Sequence, residues 1–239
     1  MNESPIDPDV ALRVQGHVDS ERLREAIAAL AQFGGRDDGG VSRQTLTEID
    51  LASRRFLIDR ALALGCAVEV DECANLFFRR PGSQDLPAVM TGSHGDTQPV
   101  GGQLDGAYGV LAGLEVVAAL NDADVQTRRP VEVVAWTNEE GSRFGPGCMG
   151  SSAYVDPPRL LQYRTSLADC SRSAGRAAPM GLTSGAFHDA MYLAGFCPTA
   201  MIFVPSRNGI SHNATEATDH ADLLLGVKAL ALAITRLAG

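Results

Sequence analysis

Apolar and polar positions alternate along the 239-residue chain in a repeating order. Three short apolar runs, 86–93, 130–138 and 199–205, have the length and composition of buried strands. Each run leads into a polar motif, and a helical pattern follows each motif. This order predicts an α/β fold in which a doubly wound, mostly parallel sheet carries helices on both faces.

The remaining patterns predict further helices and two more strands. Asp19 or Ser20 can cap an apolar periodicity of helical spacing, and Gly65 ends a second one. Residues 1–19 are predicted to be a loose lead-in. Helices are predicted at 20–33, 47–65, 105–120, 184–196 and 219–238, a short helix at the end of 139–154, and strands at 66–72 and 75–80.

One segment, 156–182, breaks this order, because it is rich in Arg, Ser, Ala and Pro and shows no sustained period. We interpret it as a linker inside one catalytic-type domain that spans residues 1–239. A chain of this length with 45% hydrophobic residues can bury a substantial core.

Composition narrows the possible partners. The formal net charge is −9, with 20 basic and 29 acidic residues, which argues against a nucleic-acid partner. No run approaches the roughly 20 apolar residues that span a membrane. The first residues lack a secretory pattern, and the five cysteines form no CxxC pair. We therefore expect a cytoplasmic protein with reduced thiols and no membrane partner.

Histidine and carboxylate side chains follow the three predicted buried strands. His94 follows the first, Glu139 and Glu140 follow the second, and His212 follows the third, while Asp105 begins a helix. Ligands of doubly wound sheets gather at the carboxyl ends of the strands. Imidazole and carboxylate donors suit Zn²⁺, although such sites also accept Mn²⁺, Co²⁺ or Ni²⁺. The pattern predicts a metal site at this edge.

Each of these side chains also has an ordinary explanation when it is considered alone. Asp105 can be a helix N-cap, and His94, His212 and the Glu139–Glu140 pair can be solvated loop residues. Their coincidence at successive strand ends favours the metal site. Asp96 can then hold the second ring nitrogen of His94.

Four segments, taken together, resemble the N-carbamoyl-L-amino-acid hydrolase family, which includes β-ureidopropionase and allantoate amidohydrolase within the di-zinc aminoacylase and carboxypeptidase group. The resemblance covers about residues 20–155 and 182–238, and its wording favours carbamoyl-amino-acid or β-ureidopropionate hydrolases over allantoate enzymes. The segments are GSHGDTQPVGGQLDGAYGVLAGLEVV, VEVVAWTNEEGSRFGPGCMGS, SGAFHDAM and FVPSRNGISHN.

The resemblance implies a zinc-exopeptidase-like catalytic domain, two Zn²⁺ ions and a small carbamoyl or ureido substrate. It implies that Asp105 bridges the two metals, that His94 binds one of them, and that Glu140 and His212 bind the other. Glu139 is then the general base of a metal-assisted hydrolysis that releases CO₂, ammonia and an amino acid. Weaker candidates for substrate contact are His188, Asn138 and Arg207.

The chain departs from that family in one respect. Family members carry an inserted domain that mediates homodimer formation and supplies a substrate-binding Arg, and a His-Ile-Glu-Gln-Gly motif just before it. Residues 156–182 stand in that place. We therefore expect the metal site of His94 to be incomplete and weak. The alternatives are a metal-binding remnant with impaired turnover, an allantoate amidohydrolase, and an aminopeptidase-like hydrolase.

Overall fold

The computed structural model describes residues 8–157 and 188–239, and within these ranges four strands form one sheet in the order β1-β2-β4-β3. β3 pairs in parallel with β4, whereas β1 pairs with β2 and β2 with β4 in antiparallel fashion. The strands are β1 (Ala67–Val70), β2 (Leu76–Arg80), β3 (Val89–His94) and β4 (Val131–Trp136).

Five helices of the described ranges lie close to where the pattern places them, whereas the helix Pro8–Gly16 was not predicted and the helix Ala190–Leu193 covers only part of the predicted 184–196. Asp19 caps α2 by accepting the backbone N–H groups of Glu21 and Arg22, and the Thr47 hydroxyl caps α3. The helices are α1 (Pro8–Gly16), α2 (Ser20–Ala31), α3 (Glu48–Ala63), α4 (Ala107–Asp122), α5 (Met149–Val155), α6 (Ala190–Leu193) and α7 (His220–Ala238).

The α/β class is confirmed, but the sheet is mixed and not mostly parallel. A tight turn between β1 and β2 sets them antiparallel, because the Asp71 carboxylate accepts the N–H groups of Cys73 and Asn75. Only the β3–α4–β4 crossover produces a parallel pair among the described strands.

Each face of the sheet packs against helices. On one face, side chains such as Phe78 and Val133 join the main hydrophobic cluster with α1, α2, α4 and α7. On the other face, Phe77 and Trp136 pack with Tyr154 of α5 and Leu193 of α6. The sheet is therefore covered on both sides, as the strand and helix order predicts.

Two predicted segments differ in the structure. Residues 8–16 form helix α1, whose Ala11 and Val14 are buried, so the loose lead-in is wrong for this part. Residues 199–205 form no strand and are mostly exposed, because no strand among the described residues lies beside them to supply a hydrogen-bonding ladder. The predicted linker at 156–182 lies, apart from its first two residues, outside the described residues.

Helix α4 packs closely on the sheet at a glycine. A Cβ built on Gly113 would lie 2.7 Å from Cγ1 of Val133 and 3.1 Å from Cγ2 of Thr91. Both neighbours are β-branched and cannot easily rotate away.

Among the helices that the structure describes, none has the length and apolar character that a membrane span requires.

Substituting Gly113 tests this packing. We expect Gly113→Val to lower the free energy of unfolding by about 1–3 kcal/mol, because the new side chain overfills the contact between α4 and β4. Gly16→Val is the control, since nothing lies within 4 Å of a Cβ at Gly16. Urea denaturation of both variants measures the difference, and equal midpoints would contradict the packing argument.

Candidate metal centre

The parallel pairing of β3 and β4 brings two chain segments together at one edge of the sheet. His94, the last residue of β3, is in register with Trp136, the last residue of β4. The residues that follow β4, up to Glu139 and Glu140, therefore lie beside the loop that follows His94. The backbone N–H groups of both glutamates point to the carboxylate of Asp96, each at 3.3 Å.

Three of the predicted ligands converge at this edge. Ligand atoms of Asp105, Glu140 and His212 all lie within 4.8 Å of one another. Nε2 of His212 is 2.8 Å from Oδ2 of Asp105 and 3.5 Å from Oε2 of Glu140. Among residues 8–157 and 188–239, this is the group of three or more His, Cys, Asp or Glu side chains that lie close enough together to hold one metal ion.

The three ligands differ in how firmly they are held. The Glu140 side chain is buried, and its carboxylate accepts the backbone N–H of Gln98 at 3.1 Å and the Gln98 side-chain amide at 2.7 Å. The His212 side chain is half exposed, and its backbone φ is +54°. Asp105 lies between them, one part of its side chain open to solvent. A cation can therefore enter from the His212 side.

His94 lies under the same cluster. Its Nδ1 is 3.0 Å from the carbonyl oxygen of Asp96, which can only accept, so Nδ1 carries a proton and donates it to this oxygen. Nε2 lies 3.4 Å from Oε2 of Glu139 and 3.8 Å from Oδ1 of Asp105. Asp96 thus contacts His94 mainly through its backbone, while its carboxylate, 3.7 Å from Nδ1, holds the Glu139–Glu140 loop.

A glycine makes room for the His94 ring. Gly106 precedes α4 with a φ of +66°, and a Cβ at this position would overlap the imidazole of His94. An L side chain is disfavoured there both by its backbone conformation and by the ring. Gly106 therefore lets Asp105 and His94 approach each other.

Charge and burial shift the titration of these groups. Burial raises the pKa of Glu139 to about 7, although the nearby His94 opposes this. Burial alone would lower the pKa of His94, but Glu139, Asp96, Asp105 and Asp189 raise it to about 10. The hydrogen bond to Asp105 raises the pKa of His212 to about 9. The edge therefore has a strongly negative potential that favours a cation.

The three weaker substrate candidates have different environments. His188 is partly buried, its ring is 5.9 Å from that of Phe203, and its pKa is lowered, first by burial. Asn138 is fully buried, and its side-chain amide donates to the carbonyl of Phe144 at 2.7 Å. Arg207 is exposed and pairs with Asp219.

Residues without a clear sequence pattern also surround the site. Asp189 is buried, accepts the Ser151 hydroxyl at 2.6 Å, and has its pKa raised to about 6, mainly by burial. The thiol of Cys148 lies 3.8 Å from Oε1 of Glu139. Asp189 stands in the predicted helix at 184–196, next to His188, where helical spacing alone does not distinguish a surface acid from a buried one.

Comparisons with known proteins show which proteins the chain is similar to. The model of peptidase family M28 matches residues 75–180, and the model of peptidase family M20/M25/M40 matches residues 161–236. The fold thus resembles that of M20- and M28-type hydrolases.

Within that class, the similar proteins are amidohydrolases. The chain is 41% identical over 139 residues to N-carbamoyl-L-amino-acid amidohydrolase of Rhizobium meliloti. The matched region covers 58% of the chain and 33% of the relative. It is 38% identical over 168 residues to ureidoglycolate hydrolase of Oryza sativa subsp. japonica, with 66% and 35% covered. A crystal structure of an amidase of the hydantoinase/carbamoylase family from Burkholderia vietnamiensis matches with 43% identity and a TM-score of 0.60, covering 65% and 40%.

The chain is therefore similar to hydantoinase/carbamoylase-type amidohydrolases over 58–66% of its own length. It spans 33–35% of the length of these two curated relatives. The family resemblance inferred from the sequence is confirmed for this part of the chain.

The donor set fits a divalent metal. Two carboxylates and one imidazole are ligands that Zn²⁺ takes, and three protein ligands leave a coordination position open for a water or a substrate. Because their atoms already lie within 4.8 Å of one another, little rearrangement is needed for them to share one ion. Of the predicted ligands of the second site, the described residues contain His94 and Asp105, with Nε2 of His94 3.8 Å from Oδ1 of Asp105.

Metal titration tests this assignment. We expect Zn²⁺ to bind with one tight site per chain in isothermal titration calorimetry, and Asp105→Asn or His212→Ala to weaken binding by more than about 100-fold. His17→Ala is the control, because His17 lies on the exposed surface. Two tight ions per chain would contradict the expectation that the His94 site is incomplete.

Proposed function

We propose that this protein is a metal-dependent amidohydrolase that cleaves the carbamoyl C–N bond of N-carbamoyl amino acids or N-carbamoyl-β-alanine. The observation that carries the proposal is the convergence of Asp105, Glu140 and His212 beside the buried carboxyl group of Glu139. The relatives named N-carbamoyl-L-amino-acid amidohydrolase support this substrate class. The reaction consumes one water and yields an amine, CO₂ and ammonia.

Asp105, Glu140 and His212 would hold the metal, and Zn²⁺ suits their nitrogen and oxygen donors, with Mn²⁺, Co²⁺ or Ni²⁺ as alternatives. When bound, the ion supplies a lower pKa for water and polarises the substrate carbonyl. Asp105 faces both His94 and His212, through its two different oxygens. This geometry supports the bridging position that the family resemblance implies.

Glu139 is the proposed general base. Its pKa of about 7 lets it take a proton from the attacking water near neutral pH and then deliver that proton to the leaving nitrogen. The His94 ring, 3.4 Å from Oε2, and the Cys148 thiol near Oε1 hold the carboxyl group on its two sides. Asp96 fixes the backbone of the same loop.

The names of the similar proteins and matched families suggest two further substrate classes. Ureidoglycolate hydrolase from rice acts, by its name, on a ureido compound, and the same chemistry would serve allantoate or ureidoglycolate. An aminopeptidase-like reaction is the third, since the matched models are peptidase families. The metal triad (Asp105, Glu140 and His212) and the proposed base Glu139 do not discriminate among these amide-type bonds. Other residues must therefore determine the choice of substrate, and His188 is the candidate beside the site.

The second candidate function is metal binding with impaired turnover. It is favoured by the geometry around His94, whose Nε2 has only Asp105 and Glu139 as acidic neighbours within 4 Å among the described residues. If catalysis requires two filled sites, this chain would bind one ion and turn over slowly.

Free cysteines at 66, 73, 148 and 197 support a reducing, cytoplasmic location for either function.

Ammonia release decides between the two functions. We expect the Zn²⁺- or Mn²⁺-loaded protein to release ammonia from N-carbamoyl-β-alanine or an N-carbamoyl-L-amino acid, and Glu139→Gln to lower kcat by about 100-fold or more. The variant should still bind the metal, because Asp105, Glu140 and His212 are unchanged. Glu69→Gln, an exposed position on β1, is the control.

Two outcomes would contradict the proposal in different ways. A metal-loaded protein that releases no ammonia from carbamoyl, ureidoglycolate or allantoate substrates would overturn the enzyme and favour impaired turnover. Turnover of Glu139→Gln above a tenth of the wild-type rate would leave the enzyme standing but exclude Glu139 as its base.

A further inference from the structure

We infer that Glu216 is a positioning residue of the metal triad, because its carboxylate ties the loop that carries Asp105 to the loop that carries His212. The inference rests on the proposed function, since it concerns the same cation. Asp105 and His212 are separated by more than 100 residues, and each stands on a loop. Something must therefore hold the two loops in register for their side chains to meet.

On the Asp105 side, Glu216 binds the backbone directly. Its Oε2 accepts the N–H of Leu104 at 3.1 Å and the N–H of Asp105 at 3.2 Å. These N–H groups precede α4, whose N-cap residue Gly106 offers no side-chain cap. Glu216 thus supplies, from a distant segment, the acceptor and negative charge that a helix start favours.

On the His212 side, Glu216 organises its own loop. Its Oε1 accepts the hydroxyl of Ser211 at 3.1 Å, and its backbone N–H donates to the carbonyl of Asn213 at 3.0 Å. The residue between them, His212, has a φ of +54°, a conformation that costs energy for a residue with a Cβ. The contacts of Glu216 on both sides help to maintain it.

A glycine makes the contact possible. A Cβ added to Gly102 would overlap the Glu216 carboxylate. Gly102 is buried, so this space is a specific complement to the Glu216 side chain and not open surface. The close approach is a second, independent sign that the two loops are fitted to each other at this point.

Glu216 is not itself a member of the triad. The group of side chains within mutual reach in the described part of the chain is Asp105, Glu140 and His212. The two oxygens of Glu216 are directed to N–H and O–H donors. Its effect on the metal is therefore through the placement of Asp105 and His212, and outer partners of this kind typically change metal affinity by about 10–100-fold.

The test compares two substitutions of nearly equal size. Glu216→Leu removes both acceptors, whereas Glu216→Gln keeps one oxygen for the N–H groups of Leu104 and Asp105 and offers its NH₂ to the Ser211 oxygen. We expect Glu216→Leu to weaken Zn²⁺ binding by about 10–100-fold and Glu216→Gln by less than about fivefold. Glu25→Leu, on the exposed surface of α2, is the control.

A second measurement separates positioning from general destabilisation. Hydrogen exchange of the amides in the 102–106 loop should be faster in metal-free Glu216→Leu than in the wild type, while the metal-free Tm and exchange of the β4 amides change little. Zn²⁺ should then raise the Tm of the wild type and of Glu216→Gln more than that of Glu216→Leu.

The outcomes distinguish this inference from the proposed function. Equal Zn²⁺ affinity in the wild type and Glu216→Leu, or unchanged exchange of the 102–106 amides, would overturn the positioning role and leave the metal site standing. A wild type that binds no divalent metal would overturn the proposed function and the metal-positioning claim together.

Discussion

The parallel pairing of β3 with β4 is the interaction on which the rest of the site depends. It places the ends of two strands, at His94 and Trp136, beside each other, although they are far apart in the chain. The loops that leave these strands must then share a small volume. Helix α4 connects the two strands across the sheet, and its closely packed start at Gly106 brings Asp105 back to the same edge.

This convergence concentrates like charges, which has an energetic cost. Asp96, Glu139 and Asp189 are buried, and burial of a carboxylate is costly unless hydrogen bonds or opposite charges compensate it. Backbone N–H groups compensate Asp96, and Ser151 compensates Asp189, whereas the described partners of the Glu139 carboxyl group are the His94 ring at 3.4 Å and the Cys148 thiol at 3.8 Å. Its pKa near 7 is the consequence, and that same imperfect compensation is what suits a carboxylate to proton transfer.

Sequence patterns predict the parts of this fold that local chemistry decides. The caps Asp19 and Thr47, the apolar strands before His94 and Thr137, and the polar residues at their ends are all visible in the sequence. The helix at Pro8–Gly16 was not predicted, because its short apolar spacing gains meaning only when it packs on α7. The strand at 199–205 fails because strands depend on a partner that apolar content does not supply.

As with the fold, the sequence predicts those parts of the candidate site that depend on local residue types. Residue types at strand ends indicate His94, Asp105, Glu140 and His212, but the side chains that position them come from long-range contacts with no local period. Glu216 is an example, because nothing in its own segment indicates that its carboxylate reaches the N-terminus of α4. His212 is half exposed and follows the unpaired 199–205 segment, so its position depends on such contacts more than those of Asp105 and Glu140 do. A cation held by all three would therefore stabilise this loop by an amount that grows with the logarithm of its affinity, because it binds only the arrangement in which the loop is in place.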